Sequence, residues 1–411
     1  MKKHWAIFID NHSNTTSFIK SFLKRNGSDT FKFLHKKQGA LFSKLTLEKL
    51  MDEEDRHEHK IIQGTQQSLR SMSSGERKKV LLKHIFSSGP DYIILDNPFD
   101  NLDTDSQSAL KKLLKAESKN ITYIQIVSRK TDALPFISNY GQLINDTFIV
   151  LENNKETGLG KSKIHFSGSI PAPLEKVRYK NKTLVHFKNV SISYGAKPIL
   201  QHIDWTINTG EFWQLIGKNG SGKTTILAMI TGDNPKAFGQ EIYLFGQKKG
   251  SGESVWDIKE KIGYYSPAMT DTFTGRHTVE NMLISGLTDS IGLYTRPTEA
   301  QQRIVQKWLA LLGFSEQKNT LFVDLTTGQQ RLVMTARAMV KHPPLLILDE
   351  PTAGMDDASA QLLVTLVNKI STETQTAIIF VSHRSEPGLH PKKVFQLNMS
   401  PNGSTGCAKG A

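Results

Sequence analysis

The chain has 411 residues, 38% of them apolar and 22% charged, a globular balance with room for two domains of ordinary size. No apolar run approaches the roughly eighteen residues of a membrane helix, and a single cysteine, Cys407, excludes an internal disulfide or a thiolate metal cluster. The net charge of +13 is uneven, with 30 Lys+Arg against 20 Asp+Glu in residues 1–185 and 22 against 19 in the rest, so a nucleic-acid or anionic-membrane surface would belong to the first half.

In chain order, Met1-Lys2-Lys3 precedes an apolar run, Trp5 to Ile9, that stops at Asp10 and is too short for a signal peptide, so a cytoplasmic protein is expected. Trp5 to Ile9 reads as a strand, and Thr16 to Lys24 as a helix after a polar turn. Tyr92 to Leu95 and Ile121 to Val127 read as further strands, the latter ending at Ser128-Arg129. Residues 153–182, rich in Lys, Gly, Ser and Pro, read as a linker. Val185 to Ile192 then alternates as a half-buried strand, and Glu211 to Ile216 is a strand leading through a glycine loop into a helix near Lys223. Gly250 to Ser254 reads as a turn. Leu345 to Leu348 and Ala377 to Val381 are buried strands, and 401–411 is expected to be a flexible tail. The order strand, loop, helix, strand, strand therefore occurs twice, which predicts two α/β domains, 1–152 and 183–400, each with a largely parallel sheet.

The second copy carries the chemistry. Gly217-Lys218-Asn219-Gly220-Ser221-Gly222-Lys223-Thr224 matches G-x-x-x-x-G-K-[ST] between a strand and a helix, with Thr225 completing the phosphate cradle. Its glycines let backbone N–H groups turn toward phosphate oxygens at the positive end of a helix. Lys223 supplies a charge to the outer phosphates, and the Thr224 hydroxyl can ligate Mg²⁺. Asp349 and Glu350 end a buried strand, where Asp349 can hold Mg²⁺ through water and Glu350 can polarise an attacking water.

These residues, with Leu325-Thr326-Thr327-Gly328-Gln329, Ala353-Gly354-Met355-Asp356 and Ser382-His383, resemble the ATP-binding domain of the ABC family in kind and order. The resemblance implies two tandem ABC-type P-loop domains, ATP and Mg²⁺ as cofactors, Tyr194 as the adenine-stacking aromatic and His383 as the switch histidine at the γ-phosphate. Leu244 to Ile258, Ile230 to Asp233 and Asp289 to Tyr294 are similar to bacterial twin-domain ATPases of the ModF and PhrA (photorepair) type.

The first copy is truncated and degenerate. Alignment by eye sets Ile9 to Ser17 opposite Ile216 to Thr224, with Asp10 at Gly217 and Thr16 at the lysine; Asn97 replaces the catalytic glutamate and Arg129 the switch histidine. The first copy reads as beginning directly at its phosphate-loop strand, so no preceding strand with an adenine-stacking aromatic is expected for it. Its signature-like stretch, Ser73-Ser74-Gly75-Glu76, is better kept. By resemblance, the two domains pair within the chain and Ser73, Ser74 and Gly75 complete the ATP site of the second, giving one competent composite site. Ser266-Pro267 stands where the family carries a glutamine that senses a transmembrane partner. The readings are therefore an ATPase driving an unknown partner, a permease-bound subunit of a molybdate-type transporter at the inner face of the membrane, and a nucleotide-gated binding or scaffold protein acting on nucleic acid or in repair.

Overall fold

The computed structural model describes residues 2–24, 29–57, 68–152, 166–175, 181–383 and 386–410. It divides into two compact units, Met1–Ser162 with Gly354–Ala358, and Lys163–Ala353 with Ser359–Ala411. Most of the linker expected over 153–182 lies outside the described residues. Its described parts, 166–175 and 181–182, belong to the second unit, where Ile170 N–H donates to Glu373 Oε2 at 2.8 Å and Pro171 O lies 2.6 Å from His342 Nε2.

The first unit is built on one six-stranded sheet: β1 (Trp5–Ile9), β2 (Gly39–Phe42), β3 (Tyr92–Asp96), β4 (Thr122–Val127), β5 (Asn139–Ile144) and β6 (Thr147–Leu151). The spatial order is β2-β3-β4-β1-β5-β6, parallel except for the β5–β6 hairpin. Successive residues of a strand face opposite sides, and here both sides are covered. Ala6, Ile93 and Tyr123 pack with Leu81, Leu82, Leu110 and Leu114 of helices Ser74–Ser87 and Thr104–Ala116. Ile7, Ile94 and Ile124 pack with Phe18, Ile19 and Phe22 of helix Thr15–Leu23. Burial on both faces is why these strands are runs of apolar residues rather than alternating ones.

The second unit repeats the design. Its strands are β7 (Thr183–Tyr194), β8 (Lys197–Asn208), β9 (Phe212–Gly217), β10 (Ile242–Leu244), β11 (Gln247–Lys248), β12 (Ile262–Tyr265), β13 (Leu345–Asp349), β14 (Ala377–Val381), β15 (Lys393–Asn398) and β16 (Thr405–Gly410). One sheet has the order β12-β13-β14-β9-β15-β16, position for position that of the first unit. A second, antiparallel sheet, β11-β10-β7-β8, has no counterpart among the described residues of the first unit. The inward residues of β7, Val185, Phe187, Val190 and Ile192, join Trp213, Leu215, Ile226 and Ile230 in one core, which fixes β9 and helix Lys223–Ile230 on either side of the glycine loop.

The expected tail over 401–411 is corrected: Thr405–Gly410 is a strand paired along the whole of β15. The small residues there answer to packing. A Cβ on Gly406 would meet the Phe395 ring at 2.3 Å. The turn expected over Gly250 to Ser254 forms, with Gly250 at φ +90° and Gly252 at φ +112°. Among the described residues no helix is long and apolar enough to cross a membrane.

Candidate functional site

The glycine loop of the second unit leaves β9 at Gly217, where a Cβ would meet Ser221 Oγ at 2.5 Å. Gly220 and Gly222 take φ of +79° and +94°, a region that side chains disfavour. A Cβ on Gly220 would meet nothing within 4 Å, so the loop keeps an open side; one on Gly222 would meet Leu200 Cδ2 at 2.6 Å. Gly222→Ala therefore combines an unfavourable φ with an overlap, and we expect it to cost about 1–3 kcal/mol of stability and to weaken nucleotide binding, checked by thermal melting and nucleotide titration. Ser221 is fully buried, and its Oγ has no hydrogen-bond partner. Lys223, 6% exposed, opens the helix; its ammonium donates to Gly217 O at 2.7 Å, Lys218 O at 3.1 Å and His383 Nδ1 at 3.4 Å. Thr224 faces solvent one residue on.

On the neighbouring strand, Leu345–Leu348 are fully buried and deliver Asp349 and Glu350 to its end. Burial, then the adjacent Glu350, pushes the Asp349 carboxyl up to about 6, against the opposing pull of Lys223, His383 and a hydrogen bond with Tyr264. A carboxyl held above its unfolded value destabilises the fold as pH rises through that interval. Asp349→Asn should raise stability of the nucleotide-free protein by about 2 kcal/mol at pH 7.5. The gain shrinks near pH 5 and vanishes below pH 4, as melting curves at those pH values would show.

Glu350 sits at φ +52°, held there by its N–H donating to Val381 O at 3.0 Å. Its Oε1 lies 2.5 Å from His383 Nε2. Lysine has no acceptor, so Nδ1 of His383 accepts from Lys223 and Nε2 carries the proton donated to Glu350. The chain Lys223, His383, Glu350 thus links the ammonium at the glycine loop to the carboxylate at the end of β13.

The first unit has the same scaffold without these groups. Ladder register pairs Asp96 with Ile126 and Asp349 with Val381, and the N–H groups of Asn97 and Glu350 donate to those two residues' carbonyls. The pairing of β1 and β9 then sets Ile7 opposite Leu215, and Ile9 opposite Gly217. This corrects the alignment by eye by one residue, because backbone pairing, not the likeness of Ile9 to Ile216, decides equivalence. Asp10 stands at Lys218, Asn14 at Gly222, Thr15 at Lys223 and Thr16 at Thr224. Ser13 N–H and Ser221 N–H close the same turn, to Asp10 O and Lys218 O. The same ladder places Ser128 at the position of His383, with Arg129 one residue beyond. Asn97 shares the positive φ of Glu350, at +42°, but its Oδ1 accepts from Ser128 N–H and Oγ–H at 3.0 and 3.1 Å. Asn14 has φ −81° where Gly222 has +94°, so the glycine cradle is not reproduced. Asp96 is raised to about 6, chiefly by burial, as Asp349 is.

The two signature-like stretches share one device. Ser73 and Thr326 each cap a helix in a capping box closed by Glu76 and Gln329. Gly75 and Gly328 are buried in the first turn, and a Cβ on Gly75 would meet Ser106 Oγ at 2.6 Å. The Ser74 hydroxyl donates to Asn101 O at 3.1 Å. Tyr194 ends β7 with 48% of its surface exposed, a free ring face with its hydroxyl accepting from Asn234 Nδ2 at 3.0 Å. Two residues escaped the sequence reading. Gln214 Nε2 donates to Ser382 Oγ at 2.9 Å and Tyr264 bonds Asp349. Gln214 was findable as the polar residue within an otherwise apolar strand.

The ABC transporter family profile matches residues 200–353. The chain is 38% identical over 328 residues to the ABC transporter ATP-binding protein ModF of Escherichia coli, covering 77% of this chain and 67% of that relative. It is 31% identical over 324 residues to an uncharacterized ABC transporter ATP-binding protein of Schizosaccharomyces pombe, covering 77% and 66%. The chain thus spans about two thirds of the length of these curated relatives. A chain from the structure of ribosome-bound archaeal Pelota and ABCE1 superposes with a TM-score of 0.66 over 99% of this chain and 75% of its own; at 14% identity it speaks for the fold alone.

Proposed function

This chain belongs to the ABC ATPase family, and from that premise we propose that it binds MgATP at the loop Gly217–Thr225 and hydrolyses it with Glu350 as the base. The observation that carries this reading is the array Lys223–His383–Glu350 beside Asp349. The residues fit the nucleotide. An open-sided glycine loop, a buried hydroxyl without a partner at Ser221 and a buried ammonium form a cradle for polyphosphate. Among the described residues no cluster of three or more His, Cys, Asp or Glu could hold a metal alone. A single hydroxyl and one carboxylate, Thr224 and Asp349, suit Mg²⁺ that arrives with phosphates. Bound there, Mg²⁺ would neutralise charge building on the phosphate oxygens.

The chain's own part is then positional. Lys223 turns from the Gly217 and Lys218 carbonyls to the outer phosphates, and the imidazole of His383 follows the γ-phosphate. That movement releases the Glu350 carboxylate, which orients water and takes its proton. The ring of Tyr194 stacks on adenine. Ser73, Ser74 and Gly75 complete the site as the signature of the degenerate copy, and the first unit binds no nucleotide of its own. Closure around ATP drives a partner.

Ser74→Arg tests the composite site, since Ser74 is only partly buried at a helix start and the substitution leaves the capping residue Ser73 in place. We expect kcat to fall at least about tenfold with the melting curve unchanged. Unchanged turnover would remove this stretch from the site. Pro267, which begins a short helix over Ala268–Asp271 where the family's coupling glutamine is expected, favours a partner other than a permease. Recovery of a permease with the Glu350→Gln protein from native cells would reverse that choice.

A further inference from the structure

Helix Thr15–Leu23 of the first unit and helix Lys223–Ile230 of the second follow equivalent loops, so their residues correspond one for one from Thr15 and Lys223 onward. The second unit's helix is apolar on nearly every side: Ile226, Leu227, Met229 and Ile230 are buried in the core it shares with the antiparallel sheet. The first unit's helix buries Phe18, Ile19 and Phe22 alone. Ser21 stands where Met229 is fully buried, and Lys20 stands at Ala228. Lys24 answers to Gly232, on which a Cβ would already touch Val255 and Ile258 at 3.4 and 3.5 Å. The face that is covered in one unit is, in the other, a groove of about 490 Å³ lined by Asn14, Thr16, Ser17, Lys20, Ser21 and Lys24.

A face released to solvent needs polar residues, but a merely soluble one mixes the two signs of charge. Residues 11–47 hold seven Lys+Arg and one Asp. Among the described residues the groove is lined by no carboxylate. Lys20 and Lys24, about 6 Å apart along the helix axis, have no ion-pair partner among the described residues, and the Thr16 and Ser17 hydroxyls have no acceptor there. Phe22 packs on Phe31 with ring centroids 4.6 Å apart, which fixes the turn Asp29–Leu34 against the helix. In that turn Phe31 and Leu34 are buried while Lys32 and Phe33 are exposed, Phe33 by 38%. Lys37 Nζ lies 5.8 Å from the Phe33 ring centroid. Lys32 pairs with Asp29 at 2.9 Å, but both side chains are exposed and such a pair is weak.

Ammoniums one helical turn apart beside hydroxyl donors suit the phosphates of an extended strand, and an aromatic face flanked by lysines suits its bases. A membrane surface would instead call for apolar side chains raised above the charges. Here the cations line a concavity and Phe33 is only partly exposed. We propose that helix Thr15–Leu23 and the turn Asp29–Leu34 form a binding surface for single-stranded nucleic acid. The groove holds the sugar–phosphate backbone through Lys20, Lys24, Thr16 and Ser17, and Phe33 stacks on a base. The surface lies within the first unit. That this strand is what ATP-driven closure acts on rests on the hydrolytic function proposed above, whereas the binding itself does not.

The test is fluorescence anisotropy of the full chain with labelled oligouridine and oligodeoxythymidine of about twenty nucleotides, longer than one such surface needs. Salt titration, cosedimentation with phosphatidylserine vesicles and ATP turnover accompany it. The unmodified protein should bind the oligonucleotides. Changing both Lys20→Ala and Lys24→Ala should weaken binding at least about tenfold and lower the slope of log affinity against log salt by about 1.4. The melting curve and ATP affinity should not change, and Lys20→Arg with Lys24→Arg should bind normally. Phe33→Leu, which keeps apolar bulk and loses the stacking face, should cost at least about fivefold with the salt slope unchanged. Tighter binding of the uridine strand assigns RNA as the ligand, and tighter binding of the thymidine strand assigns DNA. Failure to bind either strand, or binding that the double alanine variant leaves intact, would overturn the proposal, as would capture by the vesicles alone. Oligonucleotide binding with the expected losses but no ATPase activity would uphold the surface and refute the hydrolytic reading instead.

Discussion

Glu350→Gln should bind ATP as tightly as the unmodified protein and turn it over at least about a hundredfold more slowly. The glutamine amide keeps the size of the carboxylate, and its Oε1 can still accept the proton that His383 Nε2 directs at Glu350 across 2.5 Å. The loop Gly217–Thr225 is untouched, so the binding terms from Lys223 and the backbone N–H groups remain. What disappears is a group able to accept a proton from water, since an amide has no basicity near neutral pH. General-base catalysis is worth about two to four powers of ten, so the loss should fall in kcat alone. Single-turnover hydrolysis of radiolabelled ATP, with binding followed by titration, separates the two. Turnover within tenfold of normal would mean that water is activated elsewhere and that the positive φ of Glu350 serves the turn rather than the reaction.

The sequence carries the second unit's site almost whole because its chemistry depends on residues adjacent along the chain. The glycine loop, Asp349 with Glu350, and Ser382-His383 are each contiguous motifs at strand ends, and motifs at strand ends survive without knowledge of the packing. The first unit was legible as a duplicate for the same reason, since its strands are apolar runs in the same order. Its register was not. Ile9 and Ile216 look alike, yet Ile9 pairs where Gly217 does, and only the ladder reveals that shift. The antiparallel sheet was half visible, through the alternation of Val185 to Ile192; β8 carries the same alternation in Ile203, Trp205 and Ile207, while β11, two residues long, is too short to show a period. The strand Thr405–Gly410 was hidden because glycine and alanine usually signal flexibility, and here they make room for Phe395. Gln214 and Tyr264 act through contacts across strands, to Ser382 and Asp349, that no local pattern announces.

Lys223→Ala should abolish ATP binding by the whole chain, with affinity lost by at least about a hundredfold, although the chain contains two copies of the scaffold. Two effects combine at the intact copy. The cradle loses the buried ammonium that would meet the outer phosphates, and a charge-assisted bond of that kind is worth about 1.5–3 kcal/mol. Lys223 also pulls the Asp349 carboxyl down against burial, so without it Asp349 is protonated to a still higher pH and offers Mg²⁺ a poorer ligand. The other copy cannot compensate. Asp10 replaces Lys218, Thr15 takes the place of Lys223, and Asn14, at φ −81°, stands where Gly222 shapes the cradle. Isothermal titration should therefore give one ATP per unmodified chain and none for Lys223→Ala. Asn97→Glu, which restores the carboxylate alone, should leave the count at one, because a base without a phosphate cradle has no substrate to act on. Two equivalents in the unmodified protein, or one in Lys223→Ala, would show that the first unit still holds nucleotide.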